Sequence, residues 1–169
     1  LAISAIGQNP FKVGDLTYEI TSENTVEVHD CDTYAISVTI PESIINPDNN
    51  GITYSVTAIG EKAFQHCTKL EEIIIPNSVT SIGNNAFHNC NKLSLIIFSN
   101  TLTSIDSNAF LKCSTLTSVV IPSSVTSISS QAFRDCSSLT SVTLPENATN
   151  EINAFYNAEK SETINGVDY

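Results

Sequence analysis

Five cysteines and three histidines are the side chains of this 169-residue sequence most able to do chemistry. Cys67, Cys90, Cys113 and Cys136 recur every 23 residues, and Cys31 stands off that step. Thiols at such an interval admit disulfide pairing, metal ligation or plain burial. Stacked coils about 4.8 Å apart would bring equivalent Cα atoms within the range a disulfide tolerates. Equivalent side chains would nonetheless project in parallel, whereas a bridge needs converging Cβ atoms. A small buried hydrophobe is the commoner role of unpaired cysteine, so the four are expected reduced and buried, against pairing as the rival reading. His66 and His88 flank Cys67 and Cys90 and raise the question of zinc, which in structural sites wants four ligands and tight C-x-x-C or H-x-x-x-H pairs. None exists here, and later coils place Lys112 and Asp135 at the His66 position. His29 is isolated from any serine or cysteine in a nucleophile motif, so a hydrolytic triad has no support. No catalytic residue, metal ligand or cofactor is expected.

Carboxylates cluster early: Asp15, Glu19, Glu23, Glu27, Asp30, Asp32, Glu42 and Asp48. They lack calcium-loop spacing and read as a solvated, solubilising segment, with an acidic binding surface as the alternative. The repeats hold only scattered single charges, too few for the paired carboxylates of a polysaccharide-cleaving solenoid. Net charge is −11 with 7 Lys plus Arg, the reverse of a phosphate-binding footprint, so no nucleic-acid partner and no anionic lipid surface is expected. No apolar run is long enough to span a bilayer.

The elements that must position these groups repeat. Phe64, Phe87, Phe110 and Phe133 keep the same 23-residue step as the cysteines. A period of about 20–29 residues forces coils too small to bury a core alone, which therefore stack. Leu70, Leu93, Leu116 and Leu139 form one column, Ile73, Ile96, Val119 and Val142 the next, and Ile75, Phe98, Ile121 and Leu144 a third. The last two lie two residues apart, the side-chain period of a strand, so short strands stacked into a parallel sheet are expected. Pro76, Pro122 and Pro145 end that strand, with Ser99 in the second coil. A second extended piece begins at Val56, Val79, Leu102 and Val125, and turn formers such as Gly83-Asn84-Asn85 follow, expected as a turn or single 3₁₀ turn. Thr57, Thr80, Thr103 and Thr126 make an outward column beside Ala58, Ser81, Ser104 and Ser127. Ice-binding arrays present two threonine columns, so ordinary strand propensity explains this one better.

Ala35 to Ile44 matches Leu70 to Val79, with Pro41 lying 35 residues before Pro76, so Ile45 to Val56 is an insertion and reads as a hairpin around Pro47-Asp48-Asn49-Asn50-Gly51. Cys31 adjoins Asp32, which aligns with Cys67 by the same offset, and is expected slightly off the ladder. Val13 to Ile20 and Thr25 to Val28 read as a further strand pair capping the open end. The expected organisation is a single repeat domain: 1–10 leader or disordered, 11–55 N-terminal β cap with modified first coil and hairpin, 56–147 four 23-residue repeats, 148–169 degenerate repeat and tail. The small apolar start, Leu1-Ala2-Ile3-Ser4-Ala5-Ile6, suits the remnant of a signal peptide or an expression boundary. Asn147-Ala148-Thr149 is a glycosylation acceptor only in a eukaryotic host.

The phrase VTSIGNNAFHNCNKL, with IIIP or VVIP before the next Val-Thr-Ser-Ile, resembles the BspA-like (Treponema-type) leucine-rich repeats. The likeness runs from Ala35 to about Asn147, and Phe11…Gly14…Leu16-Thr17-Tyr18 looks like an opening found in that family. The resemblance implies a right-handed α/β leucine-rich-repeat solenoid of short parallel strands with little α-helix. The regular asparagine of other leucine-rich repeats is missing, so their long convex helices are not expected. Members are secreted or surface-anchored proteins of host-associated bacteria that attach to host proteins or cells. The resemblance therefore implies an extracytoplasmic, non-catalytic binding module, with a host matrix or cell-surface protein, or else a glycan, as partner; a monomer is the expectation, although the sequence does not fix the oligomeric state. The alternative is a structural spacer or display stalk with no ligand of its own. The outward strand positions Glu72, Ile74, Leu95, Ile97, Ser118, Val120, Ser141 and Thr143 are the expected binding face. Ile74, Leu95, Ile97 and Val120 form its apolar patch. Strand propensity, or cover by another region of a longer protein, would explain the same residues.

Overall fold

The computed structural model of the chain describes residues 10–48, 51–146, 148–150 and 153–158. The expected leader through residue 9, Asn49 and Asn50 of the turn, Asn147 of the glycosylation triplet, Ile152 and the tail from 159 lie outside the described residues.

The chain begins with three antiparallel strands, β1 (Phe11–Val13), β2 (Leu16–Ile20) and β3 (Thr25–Cys31). Gly14, with φ of 61°, makes the first turn at a backbone conformation that favours glycine. Next come β4 (Ser37–Thr39), β5 (Ser43–Ile45) and β6 (Thr53–Ile59), and β5 folds back on β6 with Ile44 opposite Tyr54, which is the expected hairpin. The repeats supply two short strands each: β7 (Glu72–Ile74) and β8 (Ser81–Ile82), β9 (Leu95–Ile97) and β10 (Ser104–Ile105), β11 (Ser118–Val120) and β12 (Ser127–Ile128), β13 (Ser141–Thr143) and β14 (Thr149–Asn150).

One long sheet runs β1-β2-β3-β6-β8-β10-β12-β14, with β5 on the flank of β6. Its repeat strands are parallel and in register, Ile59 beside Ile82, Ile82 beside Ile105 and Ile105 beside Ile128. The other strands form β4-β7-β9 and, separately, β11-β13. Ser37 pairs with Glu72, the 35-residue offset read from the prolines. Between the sheets lies the core, threaded by the phenylalanines. Phe64, Phe87, Phe110, Phe133 and Phe155 stack in series with centroids 4.8, 5.0, 4.9 and 5.1 Å apart and nearly parallel planes. Each coil buries too little by itself, so the stack is what removes these rings from water.

The expected α/β class needs correction, because the described residues contain strands and turns and no α-helix or 3₁₀ helix. The reason is where the backbone donors go. In the Ala-Phe segment the N–H groups of Lys62, Phe64 and His66 reach across to the carbonyls of Asn84, Ala86 and His88 in the next coil. Only the alternate ones, Ala63, Gln65 and Cys67, bond three residues back. The alternation requires left-handed residues four apart, and these are Lys62 and His66, Asn85 and Asn89, Asn108 and Lys112, Gln131 and Asp135, all with φ near +60°. A helix needs every donor within its own turn, so stacking and helix formation exclude each other here.

Candidate functional site

The candidate face is made by residues that alternate with buried ones along the shortest strands. In β11 and β13, Val119 and Val142 point inward while Ser118, Val120, Ser141 and Thr143 are exposed. In β7 the middle residue Ile73 is buried, and Glu72 and Ile74 are only half-exposed. Leu95 and Ile97 in β9 are 46% and 47% exposed, and Val120 is 68% exposed, values large for branched apolar side chains. Leu95 lies beside Glu72 and Ile97 beside Ile74, so three of the four apolar residues share one sheet. The Ser37 hydroxyl donates to Glu72 Oε2 at 3.5 Å, which ties the charged corner of this sheet to β4.

Val120 belongs to the other sheet. A single parallel sheet was the expectation, and among the described residues no backbone hydrogen bond joins β9 to β11. Elsewhere Ile75 donates to Ile97 and Ile121 to Thr143, each at 2.9 Å, yet the equivalent link from Phe98 to Val120 is missing. Phe98 stands where the other coils carry Ile75, Ile121 and Leu144. Its ring meets Phe110 of the next coil edge-on, at 5.8 Å and 89°, and it is bulkier than the isoleucine or leucine of the other coils. Ser99 replaces proline at the same turn. It is buried, its hydroxyl contacts that of Thr101 at 2.7 Å, and its carbonyl accepts from Leu102, the role Pro76 and Pro122 play for Val79 and Val125. The seam and the exposed Leu95 and Ile97 are thus properties of one coil.

The cysteines and histidines of the repeats do not converge. All five thiols are free and buried. Cys90, Cys113 and Cys136 donate to the carbonyls of Phe64, Phe87 and Phe110 at 2.9, 3.2 and 3.1 Å, and burial pushes all three thiols up. His66 and His88 face outward, 5.5 Å apart, each with Nδ1 against a side-chain amide, Asn89 and Gln65 respectively. An amide nitrogen can only donate, so in this arrangement each Nδ1 is the acceptor. Burial, then His66 and Lys112, lowers the pKa of His88.

His29 is not isolated in space. Its Nδ1 lies 3.0 Å from Glu19 Oε2, and Glu27 completes a cluster whose ligand-type atoms are all within 4.8 Å of one another. Antiparallel pairing of β2 with β3 sets Glu19 directly opposite Glu27. Burial and then the Glu19 charge raise the Glu27 carboxyl, against a smaller lowering from His29. The Glu27 carboxylate lies over Gly60, where an added Cβ would come within 2.6 Å of it. A two-residue alternation in β3 was the sequence signal for this grouping, visible only once the partner strand was known.

The threonine column is used by the fold. Thr80, Thr103, Thr126 and Thr149 each turn Oγ1 back onto the carbonyl of the preceding threonine, at 3.3, 2.9, 3.3 and 2.9 Å. Sequence reasoning missed Tyr34 and Ile36, which are both strongly exposed just before β4. A signal was available for Ile36, since it occupies the position held by Glu71, Ser94, Thr117 and Thr140 in the later coils, a polar column.

A family model described as BspA type Leucine rich repeat region matches residues 57–167 in six copies. The chain belongs to the BspA-type leucine-rich repeat family. The family match begins within β6 and runs past Asn147, so it covers more of the C-terminal part and less of the N-terminal part than the resemblance read from the sequence. A leucine-rich repeat protein from Bacteroides capillosus is 36% identical over 80% of this chain and 97% of its own, with a TM-score of 0.73. The T. pallidum leucine-rich repeat protein is 29% identical, covering 84% of this chain and 64% of that one, also at 0.73. A leucine rich cell surface protein from Faecalibacterium prausnitzii is 31% identical over 88% of this chain and 40% of its own, at 0.74. The chain therefore spans less than two thirds of the T. pallidum and F. prausnitzii relatives. No curated protein matches it. Among the described residues no helix is long and apolar enough to cross a membrane.

Proposed function

We propose that this chain is a non-catalytic, extracytoplasmic module that binds proteins through the outward columns Glu72, Ile74, Leu95, Ile97, Ser118, Val120, Ser141 and Thr143. The observation that carries the proposal is the exposure of Leu95, Ile97 and Val120 on short strands whose central residues are anchored in or against the core. Exposed apolar side chains on a rigid backbone lose little conformational entropy on binding, which is what a recognition surface requires. The name of the F. prausnitzii relative supports the extracytoplasmic part, and membership of a leucine-rich repeat family supports a protein partner, which in this reading is a host matrix or cell-surface protein. In this reading the coils wind right-handed, β1–β3 with the β5–β6 hairpin cap the stack over 11–55, the repeats occupy 56–147, and a degenerate repeat begins at 148.

The test is a binding screen of the purified chain against matrix proteins, epithelial cells and glycan arrays, repeated with Ile97→Asp. A charge at the centre of an apolar contact is expected to weaken binding by more than about tenfold while the circular dichroism spectrum is unchanged. Equal binding by a folded variant removes this face from consideration. Silence of the parent chain against every target would instead favour a display stalk.

A further inference from the structure

We propose that Glu19, Glu27 and His29 form a binding site for a divalent transition-metal ion, zinc or a close neighbour, on the outer face of β2 and β3. Each side chain brings a ligand atom to within 4.8 Å of the other two, and His29 Nδ1 lies 3.0 Å from Glu19 Oε2. An ion about 2.0–2.2 Å from its nitrogen and oxygen ligands holds them roughly 3–3.5 Å apart. Rotation of these partly exposed side chains closes the difference without moving the strands. Two carboxylates and one imidazole suit zinc and the ions beside it, and three protein ligands leave a further position open to water. This face belongs to the long sheet, so the site is separate from the outward columns of β7, β9, β11 and β13.

The backbone on both flanks assembles the three groups. Glu19 lies opposite Glu27, and strand alternation carries His29 to the face of Glu27. A bulge leaves His29 opposite no residue of β2, because Tyr18 pairs with Val28 and Thr17 with Asp30, so no directly opposed side chain intervenes between its ring and Glu19. On the other side β6 sets the small Ala58 opposite Glu27. Gly60 follows, and an added Cβ there would come within 2.6 Å of Glu27 Oε1, so the carboxylate lies in a cradle that a side chain at 60 would fill. Charge points the same way. Like charges directly opposed across strands repel, and the cations of the other described ion pairs, Lys12, Lys62, Lys92 and Arg134, face Asp32, Glu61, Glu71 and Asp135. A bound divalent ion offsets the repulsion and ties β2 to β3. The site departs from the expectation of no metal ligand, since ligand pairs read from sequence lie within one segment, whereas these meet across two strands.

The rival is a plain surface ion pair between protonated His29 and Glu19, and the two differ in their response to zinc. The test is to titrate Zn2+ into the metal-free full chain at about pH 7.5, where an unperturbed imidazole is neutral, following heat and the ring resonances of the three histidines. Saturable binding of one ion per chain is expected, with the His29 resonances shifted and those of His66 and His88 in place. Glu27→Gln and His29→Ala should each weaken binding by more than about tenfold, since losing even an outer neighbour of a metal ligand costs that much. Absence of binding by the parent chain, binding that leaves the His29 resonances unmoved, or undiminished binding by a folded variant overturns the proposal and leaves the ion pair. The resonances of the parent chain decide the matter even if a variant does not fold.

Discussion

The Cys113 thiol lies 3.2 Å from the carbonyl oxygen of Phe87, 26 residues earlier, and donates to it. The same oxygen accepts the N–H of Cys90 at 3.1 Å. One carbonyl thereby serves a turn inside its own coil and a side chain from the next. A cysteine suits this place because it is small enough for the full core, apolar enough to be buried there, and still carries a donor.

Cys113→Ala removes that donor and leaves a small void, so a loss of about 1–2 kcal/mol in stability is expected by urea titration. Burial pushes the Cys136 thiol up to about 12 and raises the Cys113 thiol well above the ordinary thiol range. In the native chain neither should react with a thiol reagent at about pH 8, where unperturbed thiols do. Both should react promptly in denaturant.

Phe98→Ile should close the seam between β9 and β11. The Phe98 and Thr117 amides have no backbone acceptor across the seam, although their counterparts Ile75 and Thr140 bond to Ile97 and Thr117. Amide exchange should be fast at positions 98 and 117 in the parent chain. Both should gain protection in the variant, and unchanged exchange would show that the ring is not what holds the strands apart.

Lys62 carries a left-handed backbone, φ 61°, where the next two coils place Asn85 and Asn108. Asparagine tolerates that region better than a long unbranched side chain does. Lys62→Asn should therefore raise stability by about 0.5–1 kcal/mol, read as a higher urea midpoint with an unchanged slope.

Glu27 and His88 should shape the pH dependence in opposite senses. The folded chain holds the Glu27 proton above its ordinary 4.5, so the stability this group confers is complete below that value and is lost as pH rises through the raised one. Glu27→Gln should melt higher than the parent at about pH 7, and the difference should shrink toward pH 4. His88 is held below its ordinary 6.5. Its share is complete above that value and declines as pH falls through the lowered one, and His88→Asn should flatten that limb.

Much of the fold was legible in the spacing. The 23-residue step located the phenylalanine stack, the buried thiols and the register of the short strands, and the 35-residue offset located the pairing of β4 with β7. These were readable because a stacked coil imposes the same environment on each equivalent position, and the same residue type returns to fill it. The alternating backbone pattern of the Ala-Phe segment was not readable, since Lys62 and Gln131 occupy left-handed positions without the asparagine that would signal them.

The outward columns stand on a similar footing. Alternation along the strands named Leu95, Ile97 and Val120, and the structure exposes them. Periodicity could not say that Val120 lies across a break, because the break falls at a single coil, the one where Phe98 stands in place of isoleucine or leucine and meets Phe110 edge-on.

Repetition in the residues was enough to determine a stack of coils, its inner columns and its family, because each of those properties is local to one repeat and copied to the next. Tertiary structure alone decided which unlike elements meet: Glu19 opposite Glu27 beside His29, and Phe98 edge-on against Phe110. Such contacts join segments of different origin, where no interval in the chain repeats to announce them.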